Sequence, residues 1–205
     1  MKLYEEFNLY ETLWDDPQSL EEAVRIISNQ DILYHWTNPT PLVQIFTEDC
    51  LRADVHLKAV CLTTDKNYKI YGYPCGIQFS REKLLADGYK LELFDEFEDD
   101  FDLPGESEER IYKNIENVSK YVTAVYINWE HIAIVQSKDG DRIADATYDE
   151  QGNEDETYDL RLNNFMSILN SLKAKGIKIL QEGKPEYDEY YLDNNGKLIY
   201  GKMPA

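Results

Sequence analysis

Nine consecutive residues, Tyr121 to Trp129 (YVTAVYINW), are β-branched, aromatic or small and carry no charge. Such a run is stable only as a strand buried among other strands, so the chain must supply a sheet and an apolar cover for it. Shorter strand-like runs are predicted at Asp31 to Trp36, Ala59 to Thr63, Gly76 to Phe79 and Ile177 to Leu180, with an exposed, alternating one at Lys90 to Phe94 and another beginning at His131 to Val135. Helical periodicity supplies the cover. Ser19 and Glu22 form a capping box ahead of Leu20, Ala23, Val24, Ile26 and Ile27, predicting a helix over residues 19–29. Thr40 is placed to cap a second helix that carries Leu42, Val43, Ile45 and Phe46 up to Asp49. Ser80 opens a short third one through Leu85, closed by Asp87-Gly88. Leu160 to Lys175 carries the longest apolar stripe (Leu162, Phe165, Met166, Leu169, Leu172), with Gly176 as its stop. A hairpin, Glu186 to Leu192 and Lys197 to Tyr200 around Asp193-Asn194-Asn195-Gly196, ends the chain. The sum is an α+β fold, read as one domain over residues 1–205.

Composition narrows the partners. The 205 residues include 16 Tyr, 7 Phe and 3 Trp, enough for an aromatic-rich interior. Forty acidic residues against 21 basic ones give a net charge of −19, which repels phosphate backbones and favours basic partners or plain solubility. Asp95 to Glu109 contains no basic residue, so most of it is predicted to be a solvated loop, and Asp141 to Asp159 a surface excursion. Cys50, Cys61 and Cys75 form no CxxC and cannot all pair, which fits a reducing compartment; with His56 and His131 lacking partner spacing, no zinc set is visible. No apolar run reaches the roughly 20 residues of a membrane span, and the acidic start MKLYEEFNLYE is unlike a signal peptide, so a cytoplasmic protein without a membrane partner is expected.

Three short segments carry the chemistry. They are Leu33-Tyr34-His35-Trp36-Thr37, Cys61-Leu62-Thr63-Thr64-Asp65 and Glu106-Ser107-Glu108-Glu109-Arg110-Ile111. A histidine leaving an apolar strand can anchor a ribose hydroxyl as donor or acceptor. Hydroxyls ending a second strand can fix a sugar or support a carboxylate. A glutamate before a third strand can stabilise the oxocarbenium-like cation formed when a glycosidic bond to nitrogen breaks. Each also has a plainer reading: a hydrogen-bonded core histidine, β-forming threonines, and acids on a solvated face with Arg110 as local counter-charge. No G-x-S-x-G element and no glycine-rich phosphate loop is present.

Tyr34-His35-x-Thr37 on a first strand, a Leu42-x-x-Ile45 helix and then Leu62-Thr63-Thr64-Asp65 together resemble the ADP-ribosyltransferase superfamily, nearest to DarT-like DNA transferases and RNA 2′-phosphotransferases. Glu106 to Ile111 is similar to the Glu-x-Glu-acid-Arg-Val/Ile segment of small phage proteins with the same layout. The resemblance covers residues 31–130 and implies a split, two-sheet core with flanking helices, residues 131–205 adding a C-terminal helix and hairpin. It implies NAD as a substrate, seated by His35, Thr37, Thr63 and Thr64, with Glu108 as the catalytic carboxylate and Glu106 preparing the acceptor. Beside it, Tyr68, Tyr71 and Tyr73 offer a stacking wall, and Arg52 or Arg81 a grip on the pyrophosphate. The implied activity is transfer of ADP-ribose to a macromolecular acceptor, a protein rather than nucleic acid given the charge, in phage host takeover or counter-defence within the host cytoplasm. The rival reading is a non-catalytic acidic protein that covers a basic host surface by imitating phosphate charge, working through Asp95 to Asp102 and Asp149 to Asp159.

Overall fold

The computed structural model describes residues 30–64, 73–93, 108–135, 138–148, 154–183, 190–192 and 198–200. The expected helix over 19–29 lies outside them. The described residues are mixed α and β, as expected, and are organised around a seven-stranded sheet. Its strands are β1 (Ile32–Thr37), β3 (Val60–Thr63), β4 (Cys75–Ser80), β5 (Glu92–Leu93), β6 (Glu108–Ile111), β8 (Val122–Asn128) and β12 (Lys178–Glu182). They lie in the order β12-β8-β4-β1-β3-β6-β5. In this sheet only β12 runs parallel to its neighbour, β8, and the long connection between the two includes a helix, as parallel pairing requires. The long run predicted at 121–129 is β8, bonded on both sides.

Smaller pieces flank this sheet. β2 (Cys50–Leu51) pairs with β7 (Ile115–Glu116), and β9 (Ile134–Val135), β10 (Arg142–Tyr148) and β11 (Glu154–Arg161) form a three-stranded antiparallel sheet. The segment 141–159, read from its acidity as an excursion, is therefore mostly hairpin; antiparallel backbone bonding between β10 and β11 outweighs what the side-chain composition suggested. His131 to Val135 contains a 3-10 turn over Trp129–His131 before the two-residue β9. The C-terminal hairpin pairs β13 (Tyr190–Leu192) with β14 (Leu198–Tyr200).

Three described helices follow the predicted stripes. α1 (Pro39–Glu48) buries Leu42, Ile45 and Phe46. It begins one residue before the expected Thr40 cap, because Pro39 has a fixed φ suited to the first turn and no N–H to leave unbonded. α2 (Arg81–Ala86) is capped by Ser80, whose Oγ accepts from Lys83 N at 3.4 Å. α3 (Leu162–Ala174) buries Leu162, Phe165, Leu169 and Leu172 and stops at Gly176, where φ is +84°.

Pleating sorts the sheet residues into two faces. Leu33, Leu62, Cys75, Ile77, Phe79, Val125 and Ile127 alternate onto one face and join α1 and α3 in a single apolar cluster. The Trp129 and Phe165 rings meet edge-on, with centroids 5.9 Å apart, where the end of β8 meets α3. Glu109 lies on that buried face too. Of the stretch 95–109, most of which was expected to be a solvated loop, only Glu108 and Glu109 are described; both are in β6, and Glu109, expected on a solvated face, is buried because Arg81 reaches it from α2. Nη1 of Arg81 donates to Oε1 of Glu109 at 2.8 Å, Nη2 bonds Oε2, and Nε donates to the Gln30 carbonyl at 2.5 Å. The fork clamps the start of β1, the N-terminus of α2 and β6 together.

Candidate functional site

The join between β1 and β3 is narrow. Among the described residues Tyr34 and Thr63 are the one Cα pair the two strands share, whereas β1 matches β4 over six pairs and β3 matches β6 over four. Past that pair, β1 continues to Thr37 and β3 runs back to Val60 without forming a ladder. Backbone groups on a parted edge need other partners. His35 provides one, its Nδ1 lying 3.1 Å from the Cys61 carbonyl oxygen across the gap. That bond fixes the tautomer as Nδ1–H, which leaves Nε2 as an acceptor.

His35 is partly buried, and burial lowers its pKa against the opposing pull of the Cys61 carbonyl, so the ring is neutral near pH 7. A histidine whose folded pKa is depressed contributes stability that is fully present above its unfolded value, about 6.5, and is lost as pH falls through that value towards the folded one. The stability advantage of wild type over His35→Gln should therefore narrow between pH 7.5 and 5.5. Urea unfolding of both proteins across that range checks it; an advantage that grows on acidification contradicts a neutral buried imidazole.

The apex of the gap carries the other groups. Cα pairing sets Tyr34 beside Thr63 and Thr63 beside Glu108, so these three share one face of the sheet. Arg110 lies two residues beyond Glu108 on that face, opposite Cys61. Nε of Arg110 donates to Oε1 of Glu108 at 2.5 Å, with the two side chains 9% and 16% exposed. Burial pulls the Arg110 guanidinium down, but its hydrogen bond and proximity to the Glu108 charge hold it above its ordinary value. Burial, with the nearby Glu108 charge, pushes the Cys61 thiol up to about 12, so it remains protonated.

Not every predicted residue joins this arrangement. His35 and Thr37 alternate with Tyr34 and so leave β1 on the opposite face from Thr63 and Glu108, the face that carries Leu33, Cys75 and Ile77. Thr63 is buried at 5% exposure, and Thr64 follows it just past the strand end, partly buried. Arg52 stands beside β2, outside the seven-stranded sheet, and its Nε and Nη2 bond Glu48 of α1 at 3.0 and 2.9 Å. Arg81 is committed to Glu109. Glu106 and Tyr71 lie outside the described residues, as do Tyr68 and the acidic stretch 95–102. Among the described residues no three His, Cys, Asp or Glu converge as a metal-binding group, and no helix is long and apolar enough to cross a membrane.

An aromatic group on the Glu108 face escaped the sequence reading. Tyr34 and Trp36 stack with centroids 6.1 Å apart, and Tyr126 of β8 meets Trp36 edge-on at 5.6 Å. Its only signal was the alternation of Tyr34 and Trp36 with Leu33, His35 and Thr37. Gly76 makes room for the indole: a Cβ there would stand 2.8 Å from Cζ3 of Trp36. Gly76→Ala should displace the ring and cost about 1–3 kcal/mol, read as a lower urea midpoint with an altered near-ultraviolet dichroism; an unchanged spectrum would mean that the indole does not rest on Gly76. Trp36 Nε1 is buried without a hydrogen-bond partner, an arrangement that costs about 1–3 kcal/mol.

Family models, curated proteins and solved structures give no match to the chain.

Proposed function

We propose that the protein transfers ADP-ribose from NAD to a macromolecular acceptor, a protein rather than a nucleic acid, and that the dinucleotide lies across the opening between β1 and β3. The observation that carries this reading is the interrupted β1–β3 ladder, with an imidazole in the gap and a carboxylate in the row at its apex. A ligand spanning the gap meets His35 from one face and Thr63 and Glu108 from the other. A narrower arrangement, with all these side chains on one wall, is not what the pleat gives.

In this reaction the bond from the ribose C1′ to the nicotinamide nitrogen breaks, its electron pair leaves with nicotinamide, and C1′ becomes cationic. Glu108 stabilises that cation at short range. Nε2 of His35, an unprotonated acceptor in its neutral tautomer, takes a hydrogen bond from a ribose hydroxyl. The stacked Tyr34 and Trp36 rings supply a flat surface for a base or for nicotinamide. The acceptor's nucleophile then bonds C1′ and releases its proton, the step in which Glu106 is expected to assist. The net charge of −19 favours an acceptor with a basic surface.

Incubation of wild type and Glu108→Gln with labelled NAD and cell lysate tests the reading. Label should pass to a macromolecule with wild type and not with the variant. Equal absence of transfer from both, with salt-sensitive capture of a basic protein by both, would replace it with the acidic-binder reading.

A further inference from the structure

We infer that Arg110 is a positioning residue that fixes the carboxylate of Glu108 at the edge of the β1–β3 opening, an inference that rests on the transfer reaction proposed above. A carboxylate on a free strand side chain samples several rotamers, and a group that must meet a short-lived cation loses rate with each unproductive one. Here the side chain is held. Nε of Arg110 bonds Oε1 of Glu108 at 2.5 Å, and both side chains are largely buried.

The holding group is built from two strands. Register sets Cys61 of β3 opposite Arg110 of β6, and Thr63 opposite Glu108, so thiol, guanidinium, hydroxyl and carboxylate occupy a two-by-two block on one face. Cys61 sits beside the Arg110–Glu108 pair, and burial together with the Glu108 charge keeps its thiol protonated. His35 bonds the Cys61 carbonyl, and this links the imidazole in the gap to the strand that carries the block. The positive charge of Arg110 opposes a nearby cation, so the arrangement favours the reaction only if orientation outweighs that repulsion. The two effects predict opposite signs for the loss of Arg110.

Two measurements on the full chain separate the outcomes. Alkylation of Cys61 by iodoacetamide at alkaline pH, followed peptide by peptide with mass spectrometry, reads the contact without any catalysis. Because the thiolate is the reactive form, Glu108→Gln should speed the reaction about 3- to 10-fold and Arg110→Gln should slow it. Cys50, whose charged neighbours are Glu116, Arg52 and Glu48, serves as the internal control. Cys61 rates that neither variant moves overturn the contact.

The second measurement is turnover of NAD. Arg110→Gln should lower kcat about 10- to 100-fold, the scale on which outer-shell partners act at metal ligands, at nearly constant KM. Arg110→Lys should recover part of that loss. Raised KM at unchanged kcat would make Arg110 a binding group, and raised kcat would make its charge the dominant effect; either overturns positioning. A wild type that turns over no NAD, with the alkylation pattern intact, overturns the transfer reaction and leaves the contact standing.

Discussion

Glu109→Leu lowers the stability of the protein by about 3–5 kcal/mol, the cost of leaving a buried guanidinium without its counter-charge. Arg81 and Glu109 are 6% and 3% exposed, and two parallel N–H to oxygen bonds join them. Water cannot replace the lost carboxylate at that depth, so Arg81 must either stay uncompensated or drag the N-terminus of α2 outwards. Its Nε bond to the Gln30 carbonyl resists the second course and ties the defect to the start of β1. Urea unfolding measures the loss. Adding Arg81→Met should restore much of it, because removing both charges takes away the desolvation penalty along with the attraction. Little or no destabilisation in the single variant would contradict a buried pair.

Glu108→Gln, one residue away, has the opposite profile. It keeps the size of the side chain and an oxygen for Arg110 to bond, yet removes the charge that the proposed transition state requires. Loss of one preorganised electrostatic group costs about 100- to 1,000-fold in kcat, roughly 2.7–4 kcal/mol. Stability should fall far less than in Glu109→Leu, since Glu108 is nearer solvent than its neighbour. The contrast follows from the strand alternation: Glu109 points into the core with Leu62 and Ile111's neighbours, and Glu108 points to the face that carries Thr63 and Tyr34. NAD turnover and urea unfolding on both variants test it. Equal effects of the two substitutions on both properties would mean that β6 is not pleated in this register.

Local physics made several elements legible. The β-branched and aromatic run at 121–129 is the strand bonded on both sides, Ser80 caps its helix, and glycines at 88 and 176 with positive φ end theirs. His35 was visible as a polar residue in an apolar strand. Its bond to Cys61 was not, because 26 residues separate them and only the parting of β1 from β3 brings ring and carbonyl together. Glu109 was unreadable for the same reason: inside an acidic run nothing marks one carboxylate for burial until Arg81, 28 residues earlier in the chain, is placed against it. Arg52 attracted attention as one of few arginines before Arg110, but a glutamate one helical turn back claims it. The aromatic group needed the register of three strands, since Tyr126 joins Tyr34 and Trp36 only through β4.

Whether NAD lies across the opening between β1 and β3 is read by a crystal structure with a non-cleavable NAD analogue. The dinucleotide is expected to pass through the opening, with one ribose bonded to Nε2 of His35 on one face of the sheet and the nicotinamide ribose beside Glu108 and Thr63 on the other. An analogue bound elsewhere on the protein, or no binding at millimolar concentration while the β1–β3 opening is accessible in the crystal, would contradict it.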